Sequence, residues 1–331
     1  LTMFGFVPKS IDIRKQIRNL YMEQAAGLYD DKTQKFYIVS DFNLNETVAK
    51  VILSHEICHA LQDQNYDFND MQLHATNNDD RVYAVLSVLE GDATLLMSEW
   101  FSQNMSFKSI FEFLSIMNVD QTSFNNAPYF LQQILVFPYI EGMMWLTRVI
   151  GYYGPEGRDY AFKNPPVSTE QILHPEKYLY DIDLPTTVTV GYFRNSLGAN
   201  WEKNYENTFG EMGFRLLFHQ HTTSPLRNAA GWDGDRYGIF RNDINEMFLE
   251  WNSVWDSIQD AEEAFDALKK TLNNRYPQGE FREAPSGFQV KTSPSILNRK
   301  KDFFLGISQR ETWLNLFITD NGDAFDNISG E

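Results

Sequence analysis

The chain has 331 residues, 43% hydrophobic and 22% charged, a globular composition outside the disordered class and large enough for one big domain or two closely packed ones. With 28 Lys+Arg against 45 Asp+Glu the formal net charge is −17, and no basic run offsets it, which argues against nucleic acid and anionic membranes as partners. One cysteine, Cys58, excludes an internal disulfide and leaves the compartment open.

In chain order, Ile11, Ile13, Ile17, Leu20 and Tyr21 form an apolar stripe that predicts a helix to about Ala26, with Gly27 as its stop. KFYIVS (35–40) predicts a strand. Residues 48–64 follow a polar link rich in cap candidates and are apolar on nearly all sides, predicting a buried helix. After a polar loop, residues 81–104 predict a second largely apolar helix. Further helices are expected over 107–153. The most apolar stretch, 129–153, is interrupted by Gln132, Gln133, Pro138, Glu141 and Arg148, and reads as a buried helix pair with no transmembrane segment.

Ser168 followed by Gln171 is a capping box opening a short helix. The pattern then changes. Residues 186–193, 236–240, 246–255, 287–292, 302–307 and 313–319 are strand-like, with one more helix over 257–272. Trp232, Trp251 and Trp255 are read as core, and the polar tail from residue 320 is expected to fray. The fold class is therefore α+β. Residues 1–180 form a mostly helical part and 181–331 a mixed α/β part, either as two domains or as one continuous domain.

The chemistry concentrates in VILSHEICHALQDQ, residues 51–64. His55 and His59 are one helical turn apart, so both imidazoles project from one face and can share a metal ion. Glu56, next to them, is placed to take a proton from an activated water. Ile52, Leu53, Ile57, Cys58, Ala60 and Leu61 surround the three, and a buried Glu with two His is costly unless compensated. A catalytic zinc needs a third protein ligand and an open position. Glu90, the first acid in an apolar helix, is the preferred third ligand, with Asp92 as rival; the two lie about 200° apart around a helix, so only one can face the ion. A salt bridge to Arg81 or Arg148 is the alternative role for Glu90. Asp63 could support a ligand imidazole or simply end the helix.

HExxH followed by a glutamate on a second helix resembles the gluzincin class of zinc metallopeptidases. Over residues 23–265 the chain is similar to a bacterial family of metallopeptidase-like proteins, often exported or lipid-anchored, with no assigned substrate. The matching stretches are EQAAGLYDDKTQKFYIV, HEICHALQDQNYDF, VLEGDATLLM, FPYIEGMMWL, PPVSTEQILHPEKY, AAGWDGDRYGIF and WDSIQDAEEAF. The resemblance implies a zincin-like fold, a bound Zn2+ with ligands His55, His59 and Glu90, and Glu56 as general base. It also implies an exported location, periplasmic, cell-surface or secreted.

Peptide hydrolysis develops an oxyanion that a Tyr, His or Arg donor usually stabilises. His174, in STEQILHPEKY, resembles the Ser-x-His-Pro element of membrane-associated and heat-shock gluzincins and is a candidate cleft residue; a helix-end histidine bonded to backbone is the other reading. Tyr237 and Arg236, in the glycine-rich AAGWDGDRYGIF, are candidates for a substrate carbonyl or carboxylate, against a hairpin with an Asp–Arg salt bridge. His219 and His221 alternate like strand or loop residues and read as structural. The tail's DNGDAFD lacks the closing Glu of a calcium loop. The expected activity is a zinc metalloendopeptidase acting on peptide or protein substrates. The alternative is a catalytically silent zincin-fold subunit of a larger assembly, with a protein partner. Because the imidazoles must be neutral to bind zinc, metal should leave at acid pH.

Overall fold

The structure, a computed structural model, describes residues 4–8, 10–24, 27–38, 47–104, 122–293 and 303–330. Helix α1 (Ile13–Gln24) turns Ile13, Ile17 and Leu20 to the core, as its stripe predicts. Gly27 does not merely stop this helix. It opens β1 (Gly27–Asp30), which pairs antiparallel with β2 (Lys35–Ile38) in a hairpin whose second strand is exposed along its length. Four residues of mixed polarity carry too little period-2 signal for β1 to be predicted.

Helices α2 (Thr47–Asn65) and α3 (Asp79–Asn104) lie side by side, and after α4 (Thr122–Asn125) the long helix α5 (Tyr129–Tyr153) packs across α3. Expected helices within 105–121 fall outside the described residues. Two expectations are corrected. Helix α2 is buried on one face only, with Ile57 and Leu61 42% and 50% exposed. The stretch 129–153 is one helix, not a pair: Pro138 sits inside it, and Arg148 faces solvent instead of breaking it. By length and composition alone, the helical stretch Tyr129–Lys163 would suffice to cross a membrane, a property the sequence reading did not assign.

Glycines make the α3–α5 crossing possible. A Cβ on Gly91 would fall 2.3 Å from the Gly142 carbonyl carbon, and a Cβ on Gly142 would fall 2.0 Å from the Ser87 carbonyl oxygen. The two backbones thus touch, with Val88, Leu89, Trp145 and Leu146 packed beside the contact.

Short helices α6 (Gly157–Lys163), α7 (Thr169–Leu173), α8 (Glu176–Leu179) and α9 (Arg194–Leu197) lead to the sheet. The Ser168 hydroxyl caps α7 by accepting from the Gln171 N–H, as predicted, and the Gln171 side chain reaches back to the Val167 N–H. Residues 186–193 do not form the expected strand. They run across β4 and β5 on polar latches: the Thr186 N–H donates to the Asp233 carbonyl, Asn252 Nδ2 to the Thr189 carbonyl, and the Gly191 and Tyr192 N–H groups to the buried Glu250 carboxylate. Their β-branched residues fit extended backbone, and side chains rather than a neighbouring strand satisfy it.

Among the described residues, seven strands form one antiparallel sheet: β3 (Glu202–Asn207), β4 (Trp232–Arg241), β5 (Met247–Trp255), β6 (Arg282–Glu283), β7 (Gln289–Ser293), β8 (Phe303–Arg310) and β9 (Trp313–Thr319), in the order β3-β4-β5-β9-β8-β7-β6. Helices α10 (Gly210–His219) and α12 (Ile258–Arg275) pack against it, and the short α11 (Pro225–Ala229) packs against both of them. The tail is not frayed. It forms α13 (Gly322–Ser329), capped by the Asn321 side chain and ended by left-handed Gly330, and buries Ala324, Phe325 and Ile328. The largest core joins Phe4, Phe6, Leu20 and Phe130 with Phe214, Trp251, Leu268 and Leu316, so residues of both expected parts share it. Trp232, Trp251 and Trp255 are buried, as expected.

Candidate metal centre

Helices α2 and α3 bring three side chains together. His55 Nε2 lies 3.1 Å from Glu90 Oε2 and 3.1 Å from His59 Nε2, and His59 Nε2 lies 3.4 Å from Glu90 Oε2. Tetrahedral ligands sharing one zinc ion at about 2.0–2.1 Å stand roughly 3.3 Å apart, so the donor set and its spacing fit such an ion. The α3–α5 glycine contact sits at Gly91, directly after Glu90, and sets how close α3 comes. Asp92, the rival ligand, also faces α2, but its carboxylate accepts from Gln62 (2.9 Å) and Cys58 (3.5 Å) of that helix and bonds neither histidine. Glu90 is not the partner of Arg81, which donates to the Pro165, Pro166 and Met71 carbonyls.

Glu56 lies beside the three on α2, and its Oε2 accepts the backbone N–H of Tyr29 at 2.9 Å. The β1–β2 hairpin is therefore fastened to the motif helix through the motif glutamate. A second tie is the Tyr29 hydroxyl, which donates to Asp63 Oδ2 at 2.6 Å. Asp63 thus holds the hairpin and does not support a ligand. That support comes from Gln62, whose Oε1 is 2.9 Å from His59 Nδ1. Gln62 Nε2 donates to Asp92 Oδ2 (2.9 Å) and to the Leu89 carbonyl (3.1 Å), and Arg158 Nε lies 2.6 Å from Asp92 Oδ1. The buried Cys58 sits among the same contacts, its thiol donating to Asp92 Oδ2 at 3.5 Å, and burial pushes the thiol pKa up.

Burial opposes charge on His59, yet the hydrogen bond and charge of Glu90, with Gln62 and Glu56 behind them, outweigh it and hold the imidazole pKa up to about 9. Burial likewise opposes the Glu90 carboxylate, but its two histidine partners bring its pKa down to about 2. A proton bound between His59 and Glu90 thus competes with any divalent ion for the same atoms.

On α5, Tyr139 stacks on His55, with ring centroids 5.8 Å apart and planes 16° from parallel. Its ring is partly exposed, at the rim of the site. Gln62, Arg158 and Tyr139 were missed by sequence reasoning. Gln62 carried a usable signal, one turn beyond His59 and so on the same face as the pair, whereas the other two arrive by long-range packing.

The other candidates lie among different partners. His174 Nε2 is 3.0 Å from the buried Glu211 Oε1 and 3.3 Å from Arg215 Nη2, in a partly buried ion cluster, and it bonds none of the four motif residues. The half-buried ring of Tyr237 packs against Tyr205 and Trp251 in the sheet. Arg236 pairs with Glu206 at 2.9 Å. The expected Asp–Arg pair is replaced by Asp235 accepting from the Phe209 and Gly210 N–H groups and from the indoles of Trp232 and Trp251. His219 ends α10 and stacks on Tyr129 at 4.1 Å. A second acidic group, Glu170, Asp183 and Asp256, surrounds the Lys177 ammonium at 2.6, 2.8 and 2.6 Å, so a side-chain cation already occupies it.

The family model described as Domain of unknown function (DUF8575) matches residues 199–298, the segment from β3 through β7 and clear of the histidine–glutamate site. No curated protein matches the chain, and no solved structure does.

Proposed function

We propose that the chain is a zinc-dependent metallopeptidase of gluzincin type, with a zincin-like arrangement of α2, α3 and the β1–β2 hairpin. The observation that carries this reading is the convergence of His55 Nε2, His59 Nε2 and Glu90 Oε2 to within 3.4 Å, with Glu56 next in sequence to the first ligand. A zinc ion held by these three would lower the pKa of water and polarise a carbonyl.

The chain's own residues do the rest. Glu56 takes the proton of the attacking water and delivers it to the leaving amine. The Tyr29 N–H fixes Glu56 Oε2 and so aims the carboxylate, leaving Oε1 to carry the proton. Tyr139, whose partly exposed ring stacks on the ligand His55 at the rim, is assigned to the developing oxyanion. His174 and Tyr237 have no place in this mechanism, because their partners are the Glu211–Arg215 cluster and the sheet. Substituting Glu56→Gln tests the assignment: the variant should bind one equivalent of zinc and lose hydrolysis of casein. Unchanged casein turnover would remove Glu56 from the chemistry.

A further inference from the structure

We infer that Gln62, Asp92 and Arg158 are positioning residues that dictate which nitrogen of His59 is offered to a cation. This role rests on the metal reading proposed above and extends it to residues that are not ligands. It follows from which groups can donate and which can only accept. Asp92 Oδ2 and the Leu89 carbonyl oxygen both lie at one end of the Gln62 amide, 2.9 and 3.1 Å from it. That end must be the NH2 group, since the reverse orientation would set the amide oxygen against two other oxygens.

The opposite end is then Oε1, which faces His59 Nδ1 at 2.9 Å. An amide oxygen only accepts, so Nδ1 carries a hydrogen and the lone pair of the neutral ring lies on Nε2. Nε2 is the atom that stands 3.1 Å from His55 Nε2 and 3.4 Å from Glu90 Oε2. Gln62 and Asp92 are buried, so water does not compete for their hydrogen bonds. A buried carboxylate needs a compensating charge, and Arg158 supplies it at 2.6 Å. The Arg158 N–H is not aligned for a hydrogen bond to Oδ1, so this last link is an ion pair. Arg158 is itself partly exposed and comes from α6, so the chain of contacts runs from the surface of one helix to the imidazole of another.

The test uses the full chain with zinc as the probe, read by competition against a chromophoric chelator. Gln62→Leu removes the acceptor at Nδ1 and should weaken zinc binding by roughly 10- to 100-fold. Arg158→Gln, at a partly exposed position that can change without a core cavity, should weaken it in the same direction by several-fold. Neither effect should follow melting temperature measured in chelator, which separates positioning from folding. A third readout needs no variant: nitrogen-15 shifts of the His59 ring in the zinc-loaded chain should show a protonated Nδ1 and a coordinated Nε2. Zinc on Nδ1, or equal affinity in wild type and both variants, overturns the proposal while leaving the metal reading intact. Wild type that binds no zinc overturns both.

Discussion

Alanine at position 142 probes the contact that sets the distance between α3 and α5. A Cβ there would sit 2.0 Å from the Ser87 carbonyl oxygen, roughly 1.5 Å inside ordinary van der Waals separation. The obstructing atom is backbone, so no side-chain rotation relieves the clash and the helices must part. Overpacking costs ~1–3 kcal/mol, and a backbone obstruction belongs at the upper end. Gly→Ala in a helix returns about 1 kcal/mol of propensity. The net expectation is a loss of about 2 kcal/mol, roughly 3 °C in melting temperature for a chain of this size. The control is Gly151→Ala on the same helix, where a Cβ meets nothing within 4 Å and the propensity gain should stand alone. Scanning calorimetry of both variants decides the matter. Because Gly91 adjoins Glu90, Gly142→Ala should also weaken zinc binding. A Gly142→Ala protein as stable as Gly151→Ala would refute backbone contact between the helices.

Tyr139→Phe should lower kcat by roughly 100-fold with zinc content unchanged, as expected for loss of one oxyanion donor; full activity would return the tyrosine to a packing role. The metal-free chain should lose stability at alkaline pH. The His59 pKa, raised from 6.5 to about 9, makes its contribution complete below about 6.5 and lost as pH climbs through 9. The Glu90 pKa, lowered from 4.5 to about 2, makes its contribution present above 4.5 and lost as pH falls through 2. Melting temperatures in chelator should therefore fall between pH 6.5 and 9 while those in zinc do not, and parallel curves would contradict the shared-proton account. Lys177→Met leaves Glu170, Asp183 and Asp256 facing one another and should cost a few kcal/mol, partly recovered by calcium; a variant as stable as wild type would show that the ammonium is not what balances the three acids.

Much of the site was legible because its signal is local. His55 and His59 announce themselves by one helical turn, and Glu90 by being the first acid after the largely apolar run 82–89 of its helix. Gln62 was legible in principle, one turn beyond His59, whereas Arg158 and Tyr139 were not, because their roles arise from packing between helices whose mutual placement no local pattern encodes. The fold divides similarly. α3, α12, β5 and β9 follow their periodicity. α10 was missed because Gly210 and Gly213 argue against a helix, yet Gly210 is there because the Asp80 carboxylate fills the place a Cβ would take and φ is +73°. The 186–193 segment reads as a strand from its Thr and Val residues, but Glu250 and Asn252 capture its backbone instead of a neighbouring strand. Eight residues rich in Asp and Asn hid the apolar face of α13, which only the burial of Phe325 and Ile328 reveals.

The most direct measurement is an anomalous difference map at the zinc edge from crystals grown with zinc. A single strong peak is predicted between His55 Nε2, His59 Nε2 and Glu90 Oε2, about 2 Å from each. A peak beside Lys177 among Glu170, Asp183 and Asp256, or none on α2 and α3, would contradict the account.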